Sequence, residues 1–257
     1  MINPMSLEGQ NIIVTGAAQG IGEATARLSV ALGAHVTLID LQAERLEALA
    51  AELGADRAAV QVGSVADPAF VQQAVENTVA TRGAIHGLVN NAGIVRAAMI
   101  HKMSVEQWQQ VIDVNLSGVF HCLQAVGRHM LERQESGDTS PAAIVNISSD
   151  AGRRGTIGQI NYGAAKSGVM GITMSAAREW AGKGIRVNSV CYGVVETEMT
   201  ETVRSDKFRE TFLAQIPMRR FTTPEEACQP ICFLLSQAAS YVTGQHLSVN
   251  GGYTIGV

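Results

Sequence analysis

Short apolar runs alternate along this chain with longer stretches in which apolar positions recur every three or four residues. Asn11 to Thr15 is an almost unbroken apolar run, which predicts a strand buried on both faces. Gly20 to Leu32 predicts a helix, His35 to Asp40 a second strand, and Gln42 to Leu53 a second helix. Ala58 to Val62 predicts a third strand, and Asp67 caps the following helix with Pro68 at its first position. Gly87 to Asn90 is the fourth strand. Ser104 to Glu135 is a long helical region opened by a capping box from Ser104 and Gln107. A polar loop over Glu135 to Pro141 leads to a fifth strand at Ala143 to Ile147. Gln159 to Lys183 predicts a long helix ending near Gly184, then a strand at Arg186 to Val190. Thr223 caps a helix over Pro224 to Ser236, and Gln245 to Val249 is the last strand. This alternation predicts an α/β fold: a doubly wound, mostly parallel seven-stranded sheet with helices on both faces. No linker, repeat or low-complexity tract interrupts it, so residues 1–257 read as a single domain.

Composition agrees. The chain is 46% hydrophobic and 16% charged, enough to build a sizeable core and too apolar for disorder. Aromatics are 5%, so the core is made of small aliphatics, which suits close helix-on-sheet packing. The net charge of −4 argues against a nucleic-acid partner. Cys122, Cys191, Cys228 and Cys232 match no disulfide or zinc spacing and read as buried thiols, so no metal is expected. Met1 to Gln10 lacks a basic region followed by an apolar run, so no secretory signal is expected there. No apolar run reaches eighteen residues, so no membrane span is expected, and a reducing, cytoplasmic setting fits.

Three local patterns carry chemistry. The first strand runs into Gly16-Ala-Ala-Gln-Gly20-Ile-Gly22 and then into a helix. Glycines at these positions allow a tight turn, close backbone approach to a pyrophosphate and close helix packing, with the helix N-terminus facing the phosphates. Asp40 ends the second strand eighteen residues beyond Gly22, where an acidic group grips the ribose hydroxyls of NAD. It would repel a 2′-phosphate, since like charges ~4 Å apart repel by about 4 kcal/mol at an effective dielectric of ~20. Leu41 follows it, the turn holds Ala17, Ala18 and Gln19, and no Arg or Lys is placed to receive that phosphate. NAD(H) is therefore expected over NADP(H). Third, Tyr162 precedes Lys166 by one helical turn, so the two share a face. A tyrosine ordinarily ionises near pH ~10, and the ammonium is expected to lower that value and make the phenol a usable acid and base.

These elements, with Asn90-Asn91-Ala92-Gly93 and Ser149 thirteen positions before Tyr162, occur in the order and spacing of the short-chain dehydrogenase/reductase family. The chain resembles its single-domain type from Asn11 to Gly252, including members that reduce 3-oxoacyl-(acyl-carrier-protein). The resemblance implies a Rossmann-type fold and an oxidoreductase interconverting a small-molecule ketone and a secondary alcohol. It implies that Ser149, rather than Ser148, orients the substrate oxygen. Tyr162 exchanges the proton, Lys166 also binds the nicotinamide ribose, and Asn115 holds a water in a proton relay. It assigns Gly16, Gln19, Gly20, Ile21, Gly22 and Asp40 to the dinucleotide. Ser64 and Val65, then Asn91, Ala92 and Gly93, then Val195 and Thr197, complete the expected contacts. It further implies a substrate lid near residues 198–220 and a homotetramer. In that assembly the helices from Ser104 and Gln159 meet one neighbour, Gly163, Gly168 and Gly171 allow close approach, and the C-terminal strand meets another.

The chain departs from the family pattern in places. Ser64 replaces an aspartate that bonds the adenine amine, Tyr192 replaces a proline, and Arg219 stands where glycine is usual. Tyr192 either shapes the nicotinamide pocket or packs away from it. Arg153 and Arg154 meet an anionic substrate, or else are loop charges or subunit contacts. A 3-oxoacyl-(acyl-carrier-protein) reductase is the alternative activity. Asp40 and the acidic Glu132, Glu135 and Asp138 count against it, and Lys183 is its one basic support. A non-catalytic dinucleotide sensor is the remote alternative, for which the tuned tyrosine has no use.

Overall fold

The computed structural model describes residues 3–256. Met1, Ile2 and Val257 lie outside the described residues, and with them the two ends of the expected 1–257 domain and part of the segment read for a leader. Seven strands are present among the described residues: β1 Asn11–Thr15, β2 His35–Asp40, β3 Ala58–Val62, β4 Gly87–Asn90, β5 Ala142–Ser149, β6 Ile185–Tyr192 and β7 His246–Val249. They form one sheet in the order β3-β2-β1-β4-β5-β6-β7. Every pairing is parallel, so the expectation of a mostly parallel sheet is met in full.

Both faces of the sheet are covered, and the period-two alternation of side chains decides which face each strand residue serves. Ile12 and Val14 point to one side, with Val36, Leu38, Ala143 and Val145. There they meet α1 (Gly20–Ala31), α2 (Ala43–Leu53) and, further along the chain, a helix over Pro224–Leu235. Ile13, Leu88 and Ile144 point to the other side. They meet α3 (Pro68–Arg82) and the helices Gly118–Glu135 and Ile160–Trp180. Full burial of each such aliphatic side chain contributes about 1.5–3 kcal/mol. All four cysteines are buried and unpaired, as their spacing suggested.

The long helical region is not one helix. It splits into α4 (Val105–Ile112), a π turn at Asp113–Ser117 and α5 (Gly118–Glu135). Single π turns interrupt helices where a site needs a residue displaced, and this one carries Asn115. A short α6 (Ala151–Arg154) precedes α7 (Ile160–Trp180). Two small helices, α8 (Glu201–Arg204) and α9 (Asp206–Gln215), then lead to α10 (Pro224–Leu235). The strand order reverses between β1 and β4, which opens a crevice at the carboxyl ends of the strands.

Candidate active site

A cleft of about 840 Å³ lies along that crevice. Its floor at one end is the turn after β1. Gly16 holds φ at +65°, a left-handed value that penalises any side chain. At Gly22 a Cβ would lie 2.0 Å from the Gly16 carbonyl oxygen, so only glycine lets α1 start there. The Asn91 amide donates to the carbonyls of Thr15 and Gly16, each at 3.0 Å. The Thr15 hydroxyl accepts from the N–H groups of Asn91 and Ala92, each at 3.0 Å. Asn91 thus braces the turn with its side chain, while Asn90 is buried and donates to Asn146 at 2.9 Å. The first N–H groups of α1 therefore open on the cleft, the arrangement that receives a pyrophosphate. Gly16, Gln19, Gly20, Ile21, Asp40, Ser64 and Val65 all line it; Gly22, packed under the turn, does not.

Asp40 uses both of its carboxylate oxygens within the chain. One carboxylate oxygen accepts from Leu41 and Gln42, as a turn-former, and the other accepts from the Ala18 N–H at 3.2 Å. It thereby couples β2 to the glycine turn while lining the cleft. The expectation that no Arg or Lys is placed to receive a 2′-phosphate leaves out Arg27 and Arg45, which both line the cleft. Neither belongs to the glycine turn or adjoins Asp40 in sequence, and helix packing brings both to the rim.

The far end of the cleft holds Ser149, Tyr162 and Lys166, with Ala92, Gly93, Val195 and Thr197 along the wall between. β5 runs on to Ser149, beyond the expected end at Ile147, so the serine sits on a strand terminus. Its hydroxyl accepts from the Ala151 N–H at 3.2 Å and lies 3.5 Å from the Tyr192 carbonyl. Ser148 also borders the cleft, but its hydroxyl is engaged, donating to the Lys166 carbonyl at 2.8 Å. Asn161, fully buried, donates to the carbonyls of Arg96 and Gln107 and so anchors the start of α7 one residue before Tyr162.

Lys166 is buried, donates to the Ile147 carbonyl at 2.7 Å, and holds its ammonium 5.6 Å from the centre of the Tyr162 ring. The expected depression of the phenol pKa is not what the structure shows. Burial disfavours the phenolate and raises Tyr162 above its ordinary value, with the Ser149 hydroxyl pulling the other way. Burial also brings Lys166 down to about 8. Desolvation is the largest cause at both groups, opposed by the Ser149 hydroxyl at Tyr162 and by Cys191 at Lys166.

Asn115 is fully buried at the π turn. Its amide oxygen accepts from the Ile94 N–H at 2.8 Å and its amide nitrogen donates to the Ile94 carbonyl at 2.9 Å. A Cβ on Gly93 would touch both Asn115 Oδ1, at 3.4 Å, and Lys166 Nζ, at 3.7 Å, so the three are neighbours. Any water held here uses the second lone pair of the amide oxygen or the second amide N–H, since one of each is already engaged.

Several open alternatives close. Tyr192 borders the cleft but directs its side chain into the protein: its hydroxyl donates to the Ala227 carbonyl and its ring joins the core under α10. Arg153 donates to the Ser248 hydroxyl at 2.5 Å and to the His246 carbonyl at 2.8 Å. Arg154 stacks 4.0 Å from the centre of the Tyr253 ring. Both arginines are committed to the C-terminal segment and do not face the cleft. Two of the small residues on α7 are used inside the chain, since Gly168 makes room for Leu116 and Gly163 for the Ala151 carbonyl. Gly171 alone of the three faces open space.

A parallel sheet of this order, a glycine turn at its switch point and a Ser-Tyr-Lys group at the other end of one cleft are the arrangement of an oxidoreductase. A family model described as enoyl-(acyl-carrier-protein) reductase matches residues 16–254. The chain is 45% identical to 3-oxoacyl-[acyl-carrier-protein] reductase FabG of Thermotoga maritima, over 98% of this chain and 100% of that one. It is 40% identical to D-threitol dehydrogenase of Mycolicibacterium smegmatis, over 97% and 94%. A solved short-chain dehydrogenase/reductase of Brucella melitensis, described as a glucose/ribitol dehydrogenase, superposes with a TM-score of 0.89 at 34% identity, over 97% and 98%. The chain belongs to the short-chain dehydrogenase/reductase family, and it is an oxidoreductase acting on CH–OH groups.

Proposed function

We propose that this protein interconverts a ketone and a secondary alcohol with NAD(H), using Tyr162 as the acid and base. The observation that carries this is the convergence of Ser149, the Tyr162 phenol and the Lys166 ammonium at one end of a cleft whose other end is a glycine turn. When bound, the nicotinamide supplies or accepts the hydride. In reduction Tyr162 gives its proton to the substrate oxygen, and Ser149 donates a hydrogen bond to the same oxygen as charge grows there. Lys166 stabilises the phenolate left behind and grips the nicotinamide ribose, and Asn115 supports it through Gly93. The fit for the dinucleotide rests on the side-chain-free cradle at Gly16 and Gly22. NAD(H) is favoured over NADP(H) because Asp40 sets a carboxylate on the wall at the ribose end. Gln19, Gly20, Ile21, Ser64, Val65, Ala92, Val195 and Thr197 contribute contacts along the wall.

Residues 198–220, with α8 and α9, cover the substrate end as a lid. Met199 and Phe208 are exposed there and offer it an apolar underside. A homotetramer is supported by exposed Val105, Trp108, Phe120 and Met174 on α4, α5 and α7, and by Leu247 on β7. No helix of the described residues is long and apolar enough to cross a membrane. The buried free thiols suit a reducing, cytoplasmic setting.

A 3-oxoacyl-(acyl-carrier-protein) substrate is the second reading, favoured by the name of the Thermotoga relative. Asp138 counts against it less than the bare sequence suggests, because it is paired with Arg133 at 2.7 Å. Replacing Tyr162 by Phe is expected to lower turnover about 10²–10⁴-fold, the usual size of a lost proton-transfer group. NADH binding, followed by fluorescence titration, is expected to stay close to wild type. A Tyr162→Phe enzyme that still consumes NADH at the wild-type rate with the best of a ketone panel overturns the assignment.

A further inference from the structure

The ribose end of the cleft holds two arginines that proton transfer does not use. Arg27 is committed to Glu23 and Glu52, which ties α1 to α2. Arg45, in the first turn of α2, reaches over the groove instead. Its guanidinium bonds the Gln19 side chain on one side and Glu198 Oε1, at 3.0 Å, on the other. Gln19 follows Ala18, whose N–H holds the Asp40 carboxylate, so Arg45 stands on the same rim as Asp40. Glu198 follows Thr197, which packs on the glycine turn so closely that a Cβ on Gly20 would lie 3.0 Å from its methyl group. One guanidinium therefore joins the turn, the helix after Asp40 and the segment after β6.

An arginine at this rim is the group that pairs with a 2′-phosphate, through its forked donors. Here its donors are already engaged by a carboxylate. We infer that Glu198 is a specificity-determining residue: by holding Arg45 it withholds a guanidinium from the 2′-phosphate of NADPH and leaves Asp40 to exclude that cofactor. The inference rests on the reading that Asp40 faces the adenosine ribose. The side chains of the pair are 47% and 65% exposed, so the bridge is screened and opens readily. Cofactor preference set this way is graded and depends on salt. An arginine released from Glu198 swings toward Asp40 and offsets its charge.

The test uses the full-length enzyme and equilibrium binding rather than turnover. Dissociation constants for NADH and NADPH are measured by fluorescence titration at low and high salt, for wild type, Glu198→Gln and the double variant Glu198→Gln with Arg45→Ala. Thermal unfolding of each variant checks that it is folded. Glu198→Gln is expected to shift the NADPH-to-NADH affinity ratio toward NADPH by about fivefold, or about 1 kcal/mol. The shift should be smaller at high salt and absent in the double variant. An unchanged ratio in Glu198→Gln, or a shift that survives removal of Arg45, overturns the inference. Wild-type protein that binds NADPH more tightly than NADH overturns the reading of Asp40 instead, and the change of ratio still reports on the bridge.

Discussion

Lys166 is buried and Tyr162 is half-buried on the cleft wall, and this partial loss of water shapes how the pair behaves as pH changes. With Lys166 brought down to about 8 and Tyr162 raised, the phenol keeps its proton through neutrality while the amine is close to losing its own. Reduction needs a protonated phenol and an ammonium to receive the charge it leaves. The kcat/KM for ketone reduction is therefore expected to fall as pH rises through about 8. A profile flat from neutrality to well beyond that value would show that Lys166 does not support the phenolate. Arg219 stands out for a different reason. It is the one non-glycine among the described residues with a positive φ, at 56°, and it occupies the position where family members usually carry glycine. Left-handed backbone costs an ordinary residue about 1–2 kcal/mol, and glycine in the unfolded chain gives back about 0.4–1. Arg219→Gly is expected to leave the melting temperature unchanged or slightly raised, and Arg219→Val to lower it. Equal losses in both would show that the arginine's own contacts outweigh backbone strain.

α10 illustrates how an element remote from the chemistry supports it. It starts with a capping box from Thr223 and Glu226 and ends over the guanidinium of Arg186, from the start of β6. Arg186 donates to the carbonyls of Leu234, Val242, Leu235 and Ser236, at 2.7, 3.4, 3.2 and 3.1 Å. A helix end leaves carbonyls without partners, and one arginine answers several of them here. α10 in turn seats Tyr192, whose carbonyl lies beside Ser149. Arg186→Ala is expected to cost about 2–4 kcal/mol in urea unfolding, because the carbonyls are orphaned. A loss below about 0.5 kcal/mol, the level of ordinary surface substitutions, would mean water replaces the guanidinium without penalty. The π turn between α4 and α5 is a second such device. It carries Asn115, whose amide binds both the N–H and the carbonyl of Ile94.

Across the molecule, several histidines are folded in as neutral acceptors. His86 takes the Asn11 N–H at 3.0 Å and His129 takes the Ile85 N–H at 3.1 Å, near the amino ends of the central strands. Protonation would remove these acceptor lone pairs. Burial, then nearby Arg133, holds His86 down to about 4, and burial lowers His35, His129 and His246 as well. A base whose pKa is depressed by folding contributes stability that is present above its unfolded value of about 6.5 and lost as pH falls below it. Asp150 acts in the opposite sense, since burial raises it, but it is one group against four. The urea midpoint is therefore expected to decline between pH 6.5 and about 4. A midpoint constant from pH 7.5 to 5 would show that these histidines open to solvent at little cost.

The strands, their burial on both faces, the glycine turn, the buried thiols and the Tyr162–Lys166 face were all legible in the amino-acid sequence. Each is a property of a short stretch, in which spacing along the backbone already dictates geometry. Other features join segments distant along the chain, and only their packing decided them. Arg45 meets Glu198 across 153 positions, and Arg153 meets Ser248 across 95. Tyr192 turns toward α10, and Gly168 makes room for Leu116. The ionisation of Tyr162 belongs to this second group. Spacing sets the lysine beside the phenol, but the exclusion of water determines which way the proton equilibrium moves, and that exclusion is a product of the whole fold.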